Sequence, residues 1–220
     1  MKKIIVMVLA VTSLFFLTVS NTLADWSVGV SLGSGVYEAD GTETEDGEVN
    51  FATAEEKKFT YPSIFVEYDT GMVSFGLDYI PGTVETEESA RTDYNCTPLC
   101  TGNDGGSTGL TNTVKVGFSQ HLTLYAVVPI MDTGAFIRAG VIRVDVETRE
   151  LLNTGSTYPD ADVFGGTLSL GYQHDLDWGF VRAEAGHTEY ETITVTSNNN
   201  HKVDADVNGN WGKISIGKSF

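Results

Sequence analysis

Basic residues are scarce in this chain, where 13 lysines and arginines face 30 aspartates and glutamates for a formal net charge of −17. No stretch gathers the positive charges into a stripe. The composition therefore argues against nucleic acid as a partner, because a nucleic-acid surface needs such a basic patch. It also argues against simple electrostatic docking on anionic lipid.

Cysteine is nearly absent too: the chain has only Cys96 and Cys100, in the run Cys-Thr-Pro-Leu-Cys. In an exported protein these two would pair and close one loop tip, with free thiols as the alternative. A metal site would want further soft ligands close by, and none is there. We therefore expect a local disulfide and neither a metal nor a cofactor.

Long apolar runs are missing beyond the first segment. Two lysines, an apolar stretch over 4–19 and small residues up to Ala24 are typical of a secretory signal peptide. We predict cleavage after Ala24, which leaves one domain over 25–220, with an uncleaved anchor as the alternative. No later segment reaches the roughly 20 apolar residues of a spanning helix, so a membrane form must be a closed sheet.

Catalytic motifs are absent as well, since neither Gly-x-Ser-x-Gly nor His-Glu-x-x-His occurs. His187 and Glu189 share one face of a predicted strand, which is the lipid-side face. A histidine at the membrane rim is therefore a better interpretation than a catalytic pair, which needs converging groups. We expect no catalytic residues and no enzymatic activity, and a lipid hydrolase is the least favoured alternative.

What the sequence does contain is alternation with a period of two. In the last strand Ile214, Ile216 and Phe220 fall on one face, and small or polar residues fall on the other. The same pattern predicts eight strands, over residues 25–37, 59–68, 73–79, 113–129, 135–147, 162–175, 179–196 and 203–220. The phase of the fifth strand stays open, because Arg138 shares a face with Phe136 and Ile142.

The predicted connections alternate between long and short along the chain. This asymmetry predicts an all-β fold, an eight-stranded antiparallel up-and-down transmembrane β-barrel with short periplasmic turns and longer extracellular loops. A soluble lipocalin-like barrel would need an apolar interior and a polar exterior. The apolar phase here is flanked by aromatic residues expected to form interfacial girdles: Trp26, Tyr68, Tyr79, Trp178, Trp211 and Phe220.

Several segments match a known pattern: Trp26-Ser-Val-Gly-Val-Ser-Leu-Gly33, Gly134-Ala-Phe-Ile-Arg-Ala-Gly140, Val181-Arg-Ala-Glu184 and the final Phe220. With them the chain resembles the outer-membrane β-barrel family that includes OmpA-type transmembrane domains and opacity-type surface proteins. The resemblance implies an assembly signal in Ile214, Ile216 and Phe220, read by the barrel-assembly machinery. Lys218 departs from the aromatic or apolar residue usual at that position. Larger relatives bind peptidoglycan through a carboxy-terminal periplasmic domain; the sequence shows no such domain, so we do not expect that role here.

Charged residues fall on the predicted lumen face: Glu67, Asp78, Lys115, Arg138, Arg182, Glu184 and Lys213. An eight-stranded barrel is just wide enough for its own side chains, which favours a packed ion network over a channel. The alternative is a narrow, charge-lined pore.

The long predicted loops are acidic, which indicates a solvated surface or, less specifically, divalent-cation binding beside lipopolysaccharide. We therefore predict a monomeric, non-enzymatic barrel of a Gram-negative outer membrane. It would contact lipid and lipopolysaccharide and have a structural or surface-interaction role. The alternative is a small-solute porin that favours cations.

Overall fold

The computed structural model describes residues 26–45, 48–52, 56–93, 110–151 and 157–220. The predicted signal peptide with its cleavage site, and the predicted disulfide Cys96–Cys100, lie outside these ranges. None of the helical structure in the described ranges is long and apolar enough to cross a membrane.

The described chain is built from strands. In chain order they are β1 (Trp26–Glu45), β2 (Glu48–Ala52), β3 (Lys57–Asp69), β4 (Ser74–Ile80), β5 (Val84–Glu85), β6 (Ser89–Asp93), β7 (Leu110–Pro129), β8 (Ala135–Leu151), β9 (Ala161–Leu176), β10 (Gly179–Tyr190), β11 (Ile193–Thr196) and β12 (Lys202–Ser219). One short 3₁₀ turn, Met131–Thr133, precedes β8.

Eight of these strands form a closed wall in the order β1, β3, β4, β7, β8, β9, β10, β12, each antiparallel to the next. The ring closes where β12 pairs with β1 from Ser27–Ser219 to Thr44–Lys202. The four short strands extend the wall: β2 pairs with β1, β5 and β6 pair with β7, and β11 pairs with β12. The predicted eight-stranded up-and-down barrel is confirmed.

The two ends of the barrel differ. At the end we call the turn end, short connections at 70–73, 130–134 and 177–178 join consecutive wall strands. Strand β1 begins and β12 ends there, and the Phe220 amide donates to the Trp26 carbonyl over 2.8 Å. The wall strands that flank the longer connections end and begin at the opposite end of the barrel, which we call the loop end. An even number of wall strands brings the first and last strand ends to the same end of the barrel, because each strand runs opposite to the one before it.

The outside of the wall is apolar. Strand alternation turns one apolar set outward, where the side chains are exposed: Leu32, Phe75, Leu77, Leu122, Leu124, Val128, Val141, Phe164, Leu168, Leu170, Tyr172, Ile214 and Ile216. The rings of Trp26 and Tyr68 pack against each other near the turn end at a tilt of 54°, with centroids 5.0 Å apart. The prediction that Trp211 belongs to a girdle is wrong: it faces the lumen and donates from Nε1 to Thr188 Oγ1 over 3.0 Å.

Several strands run further than the sequence pattern indicates. Strand β1 continues to Glu45 instead of ending near residue 37, and the predicted loop 81–112 contains β5 and β6. The predicted seventh strand is divided at 191–192 into β10 and β11. About 9–11 residues suffice to cross a bilayer, so these extensions project beyond the apolar band. Hydrophobic alternation does not predict them, because water contacts both faces there.

A bulge in β7 changes the phase of that strand. Its register against β8 shifts between Ser119 and Leu122, and Gln120 between them has a positive φ of 49°. The extra residue turns Val116 and Phe118 toward the lumen, where they pack against the buried valines of β8. Lys115 therefore lies on the outer side of the wall, and its predicted place on the lumen face was wrong.

The structure settles the phase of the fifth predicted strand, which is β8. Phe136, Arg138, Ile142 and Val144 are all buried, so the face that mixes charge and apolar side chains is the inner one. Strict polarity alternation fails here because the lumen is itself apolar over part of its length.

Candidate functional site in the barrel lumen

Side chains fill the lumen in three layers. An aromatic layer of Phe65, Phe136 and Phe180 lies nearest the turn end. An ion network lies above it, and an apolar chamber lies above the network toward the loop end. Each wall strand turns every second side chain inward. The types of these inward residues change from the turn end to the loop end, which produces the three layers.

The aromatic layer is made possible by glycine. Gly171 pairs across the sheet with Phe136, and a Cβ added to Gly171 would lie 2.1 Å from the Phe136 Cζ. The ring therefore lies flat over the glycine backbone, a close approach that only glycine permits. The same cross-strand pairing recurs at several other places in the wall, among them Gly29–Phe65, Gly217–Phe180, Gly76–Tyr125 and Gly209–Tyr37.

Arg182 connects the aromatic layer to the ion network. Its guanidinium carbon lies 5.0 Å from the Phe136 ring centroid and 5.1 Å from that of Phe180. Its two terminal nitrogens donate to both oxygens of Glu67, over 2.6 and 2.9 Å. This two-pronged geometry is the strongest arrangement for an arginine and a carboxylate. Gln173 accepts two further bonds from Arg182, over 3.2 and 2.8 Å.

A second cluster lies beside the first. Arg138 bridges two carboxylates, donating to Glu184 Oε2 over 3.2 Å and to Asp78 Oδ2 over 3.3 Å. Lys213 Nζ donates to the same Asp78 oxygen over 2.7 Å. Tyr125 joins the two clusters, because its hydroxyl donates to Glu67 Oε1 over 2.8 Å while its ring centroid lies 3.6 Å from the Arg138 guanidinium carbon.

The ion network is therefore balanced and enclosed. Six of the seven residues predicted for the lumen meet in it, three basic and three acidic: Arg138, Arg182, Lys213, Glu67, Asp78 and Glu184. All six are buried. Charges this deep are tolerated because each has an opposite partner and hydrogen bonds. The sequence-based list of lumen candidates contained charged residues alone, so it did not include Tyr125, or Gln173, which alternation already placed on the inward face of its strand.

Lys115, the seventh residue, pairs outside the wall. It bonds to Glu85 of β5, and Glu85 also accepts from Arg149 Nη1 over 2.9 Å. The hydrogen bond from Lys115, reinforced by the charge of Arg149, holds the pKa of the Glu85 carboxyl below its ordinary value. This trio is solvent-exposed, so it fastens β5 to the rim only weakly.

Above the network the lumen is apolar, a feature that sequence analysis did not predict. The buried side chains Val144, Val146 and Val163 form its centre, and Phe118, Tyr190 and Ile193 pack against them. They enclose a partly open chamber of about 70 Å³. No aspartate, glutamate, lysine or arginine of the described ranges lines it; the rest of the lining is Tyr37, Phe59, Tyr61, Ile80, Val84, His121 and Val207. A smaller cavity of about 40 Å³ continues from it down to Asp78 and Lys213.

Polar atoms enter the chamber wall at few points. The side chains of Tyr37 and Tyr61 bring two hydroxyl groups to it. His121, directly after the bulge in β7, places Nε2 3.2 Å from the Tyr190 hydroxyl. Its other ring nitrogen, Nδ1, is buried and has no hydrogen-bond partner among the described residues. A buried polar atom in that state is uncommon in folded proteins.

The remaining predicted residues lie on the outside. Ile214 and Ile216 are exposed on the outer face of β12, and Lys218 Nζ lies 5.5 Å from the Phe220 ring centroid. His187 is also exposed, and its Nδ1 lies 3.0 Å from Asn210 Oδ1. The described ranges contain no group of three or more histidine, cysteine, aspartate or glutamate residues able to hold a metal ion.

A closed antiparallel ring with an apolar outer wall and a packed lumen defines the class of the outer-membrane β-barrels. Solved structures support this assignment. OprG from Pseudomonas aeruginosa superposes with a TM-score of 0.54 at 13% identity, over 90% of this chain and 96% of OprG. AlkL, determined by solid-state NMR in DMPC lipid bilayers, superposes with a TM-score of 0.52 at 14% identity, over 92% of this chain and 94% of AlkL.

No protein-family model matches the sequence, and no curated protein resembles it significantly. At identities this low the likeness to OprG and AlkL establishes the fold and no shared activity. The chain has the fold of an eight-stranded outer-membrane barrel.

Proposed function

We propose that this chain is a non-enzymatic barrel of a bacterial outer membrane, blocked to the free passage of solutes, with a structural or surface-interaction role. The observation that carries the proposal is an apolar outer wall combined with a lumen that is crossed by a buried network of ion pairs. The wall favours hydrocarbon as its surroundings, and the network occupies the space a pore would need.

The surface role draws support from the loop end. Strands β1 and β12 stay paired well beyond the apolar band, up to Thr44 and Lys202. Acidic side chains are exposed around this end: Glu38, Asp40, Glu85, Glu87, Glu88, Asp160, Asp162, Glu189, Glu191 and Asp206. A rigid wall that carries negative charge into the medium suits contact with cationic partners or with lipopolysaccharide bridged by divalent cations.

Conductance in a planar lipid bilayer tests whether the lumen is blocked. We expect the purified protein to insert without a stable open level above the bilayer leak. The double variant Glu67→Ala/Arg182→Ala removes one buried ion pair and should produce openings, which shows that the assay detects this barrel. Lys115→Ala, which removes a charge outside the wall, is the matched control and should behave like the parent protein.

A stable, cation-selective open level in the unaltered protein would contradict the proposal and support the porin alternative. The hydrolase alternative makes a separate prediction, that labelled lipid A or phospholipid is cleaved and that His187→Ala abolishes the product. Because His187 contacts Asn210 on the outer wall, we expect no product from either protein.

A further inference from the structure

Strand β3 has an open edge near the loop end. It pairs with β1 over nearly its whole length, but its pairing with β4 stops at the pair of Ile64 and Tyr79. The chain turns away after β4, because Pro81 has no amide hydrogen to donate and Gly82 has a positive φ of 86°. The next strands, β5 and β6, pair with β7. From Ile64 back to the start of β3, no strand of the described ranges therefore pairs with this edge.

Backbone groups of β3 face this open edge at every second residue. The Thr70 amide, directly after β3, donates to the Val73 carbonyl in the turn to β4 over 3.2 Å. The direction of the backbone groups alternates along a strand, and the register of β3 against β1 has no bulge. Counting back from Thr70, the residues that face the open edge are Pro62, Thr60 and Lys58.

The side chain of Ser34 and the position of Pro62 support this direction of the backbone groups. Ser34 Oγ of β1 donates to the Phe59 carbonyl over 3.2 Å, so the residue between Lys58 and Thr60 faces β1. Pro62 has no amide hydrogen, and proline occurs in sheets where no partner strand needs one. The open edge thus offers the amides and carbonyls of Lys58 and Thr60 and the carbonyl of Pro62.

The strand across the opening also directs backbone groups into it. The Thr86 amide donates to the Val116 carbonyl of β7 over 2.9 Å, so the backbone of the preceding residue, Glu85 in β5, faces away from β7. The opening lies above the apolar band, since the outward side chains of Lys58 and Thr60 are polar and exposed. Unpaired backbone groups are tolerated in water there, but they are also a template for another strand.

We propose that the open edge of β3, Lys58–Pro62, binds an extended peptide segment of another protein, which adds a strand to the wall. The inference rests on the proposed surface role and names the class of its partner. Carbonyls of the peptide would accept from the amides of Lys58 and Thr60, and its amides would donate to the carbonyls along the same edge.

The side chains beside the edge predict the pattern of the peptide. Phe59 and Tyr61 face inward and line the apolar chamber together with Val84 of β5. Lys58 and Thr60 face outward into water. Because side chains alternate along a strand, the peptide should carry apolar residues at every second position and polar residues between them.

The polar positions of the peptide should include an acidic residue. Lys58 has no acidic partner among the described residues. Glu85, across the opening, already pairs with Lys115 and Arg149, so it does not call for a basic peptide. Opposite charges on neighbouring strands stabilise their pairing, and Lys58 therefore favours a carboxylate beside it.

Amide hydrogen exchange, measured by NMR on the full protein in lipid nanodiscs, tests the edge itself. Without peptide, the amides of Lys58 and Thr60 should exchange faster than those of Phe59 and Tyr61, which face β1. The probe is a short acetylated synthetic peptide that alternates valine with glutamate and threonine. It should slow exchange at Lys58 and Thr60 by at least about tenfold, with a saturable dependence on peptide concentration.

Two matched pairs of variants separate backbone pairing from charge, with binding measured by fluorescence anisotropy of the labelled peptide. Thr60→Pro removes an edge amide and should weaken binding by about fivefold to tenfold, whereas Thr60→Ala removes only the hydroxyl and should bind like the parent protein. Lys58→Glu should reverse the preference, so that a peptide with lysine in place of glutamate binds better. Lys202→Glu, which changes an exposed lysine of β12, should leave the preference for glutamate unchanged.

A modified peptide replaces Thr60→Pro if that variant fails to shift on unheated detergent gels. Methylation of every backbone nitrogen of the peptide removes its donors, and this peptide should not bind the parent protein.

The proposal is overturned if the Thr60 amide exchanges as slowly as the Tyr61 amide before peptide is added, because the edge would then already be covered. It is also overturned if neither Thr60→Pro nor methylation of the peptide weakens binding, or if Lys58→Glu keeps the preference for glutamate. Protection of Thr60 that rises with protein concentration alone would make a second copy of the chain the occupant, against the proposal.

The conductance experiment has a separate outcome. A barrel that stays blocked but binds no peptide contradicts this inference alone. A barrel that conducts contradicts the proposed function, whatever the peptide does.

Discussion

At the scale of single residues, the lumen is organised by pairs of a glycine and an aromatic ring on neighbouring strands. In each pair the ring covers the glycine backbone and so fills a space that two side chains could not share. Phe136 over Gly171 is the clearest example, because the ring also lies against the guanidinium of Arg182. The glycines of this barrel therefore set the packing of its core rather than loosening its strands.

Adding one methyl group at such a position tests this interpretation. Gly171→Ala should lower the free energy of unfolding by about 1–3 kcal/mol, because the new Cβ forces the buried Phe136 ring to move. Gly166→Ala on the same strand is the matched control, since nothing lies within 4 Å of its added Cβ. It should leave stability unchanged or raise it. Urea unfolding in lipid vesicles, followed by tryptophan fluorescence, measures both variants.

A double-mutant cycle identifies the cause of the loss. Combining Gly171→Ala with Phe136→Leu should cost less than the sum of the two single changes, because the smaller side chain makes room for the methyl group. Strict additivity, or equal losses at Gly171 and Gly166, would argue against the ring contact.

At the scale of single elements, the bulge in β7 decides what the upper lumen contains. A strand without it would turn Lys115 inward, and Val116 and Phe118 outward. The extra residue reverses that phase, so the chamber gains Phe118 and the ion trio of Lys115 forms outside. The left-handed conformation of Gln120 is the local strain that accompanies this change, because its Cβ crowds the backbone at positive φ.

Replacing Gln120 with glycine should relieve that strain. We expect Gln120→Gly to raise the free energy of unfolding by up to about 1 kcal/mol, since glycine adopts positive φ without steric cost. Ala126→Gly, in a regular part of the same strand, should lower it by about 0.5–1 kcal/mol. Equilibrium unfolding in vesicles compares the two. If both substitutions destabilise to the same degree, the bulge does not hold Gln120 in this conformation.

At the scale of the whole molecule, the ion network ties distant strands together across the lumen. Its members come from β3, β4, β8, β10 and β12, so five of the eight wall strands meet at one point. The wall hydrogen bonds join only neighbouring strands, whereas Arg182 on β10 and Glu67 on β3 are separated in the wall by β12 and β1. The network therefore couples the closure of the ring to the packing of its interior.

Removing one partner should be far more damaging than removing an exposed charge. Arg182→Met leaves Glu67 buried without its counter-ion, and we expect a loss of about 3–5 kcal/mol in the free energy of unfolding. Lys115→Met, at the exposed trio, should cost no more than about 1 kcal/mol. Heat-modifiable migration on detergent gels and urea unfolding in vesicles measure the two variants.

The double variant Glu67→Met/Arg182→Met should recover part of the loss, because no unpaired charge then stays in the lumen. Similar losses for Arg182→Met and Lys115→Met would mean that water reaches the network, and the lumen would not be closed as described.

Much of the fold could be predicted from the sequence, because alternation in segments such as 213–220 depends only on which side chains face hydrocarbon. The same alternation correctly places six of the charged residues on the lumen face. Lys115 could not be placed in this way, because a bulge moves it to the outer face. Trp211 could have been placed in the lumen, because it lies two residues before Lys213 and shares its face; the expectation of an aromatic girdle overrode that alternation. The hydrogen bond that Thr188 accepts from the Trp211 indole nitrogen agrees with the lumen position.

The sequence by itself determined the ring: strands that alternate in polarity, with no helix-length apolar run after residue 24, have a closed sheet as their stable form in lipid. Only the tertiary structure decided what fills that ring. Side chains from strands far apart in the chain meet in the lumen at heights set by register, and a single bulged residue moves them from one face to the other. The chamber beside His121 is a result of that register. It could not be predicted from the sequence, because no local pattern shows which strands face one another across the lumen.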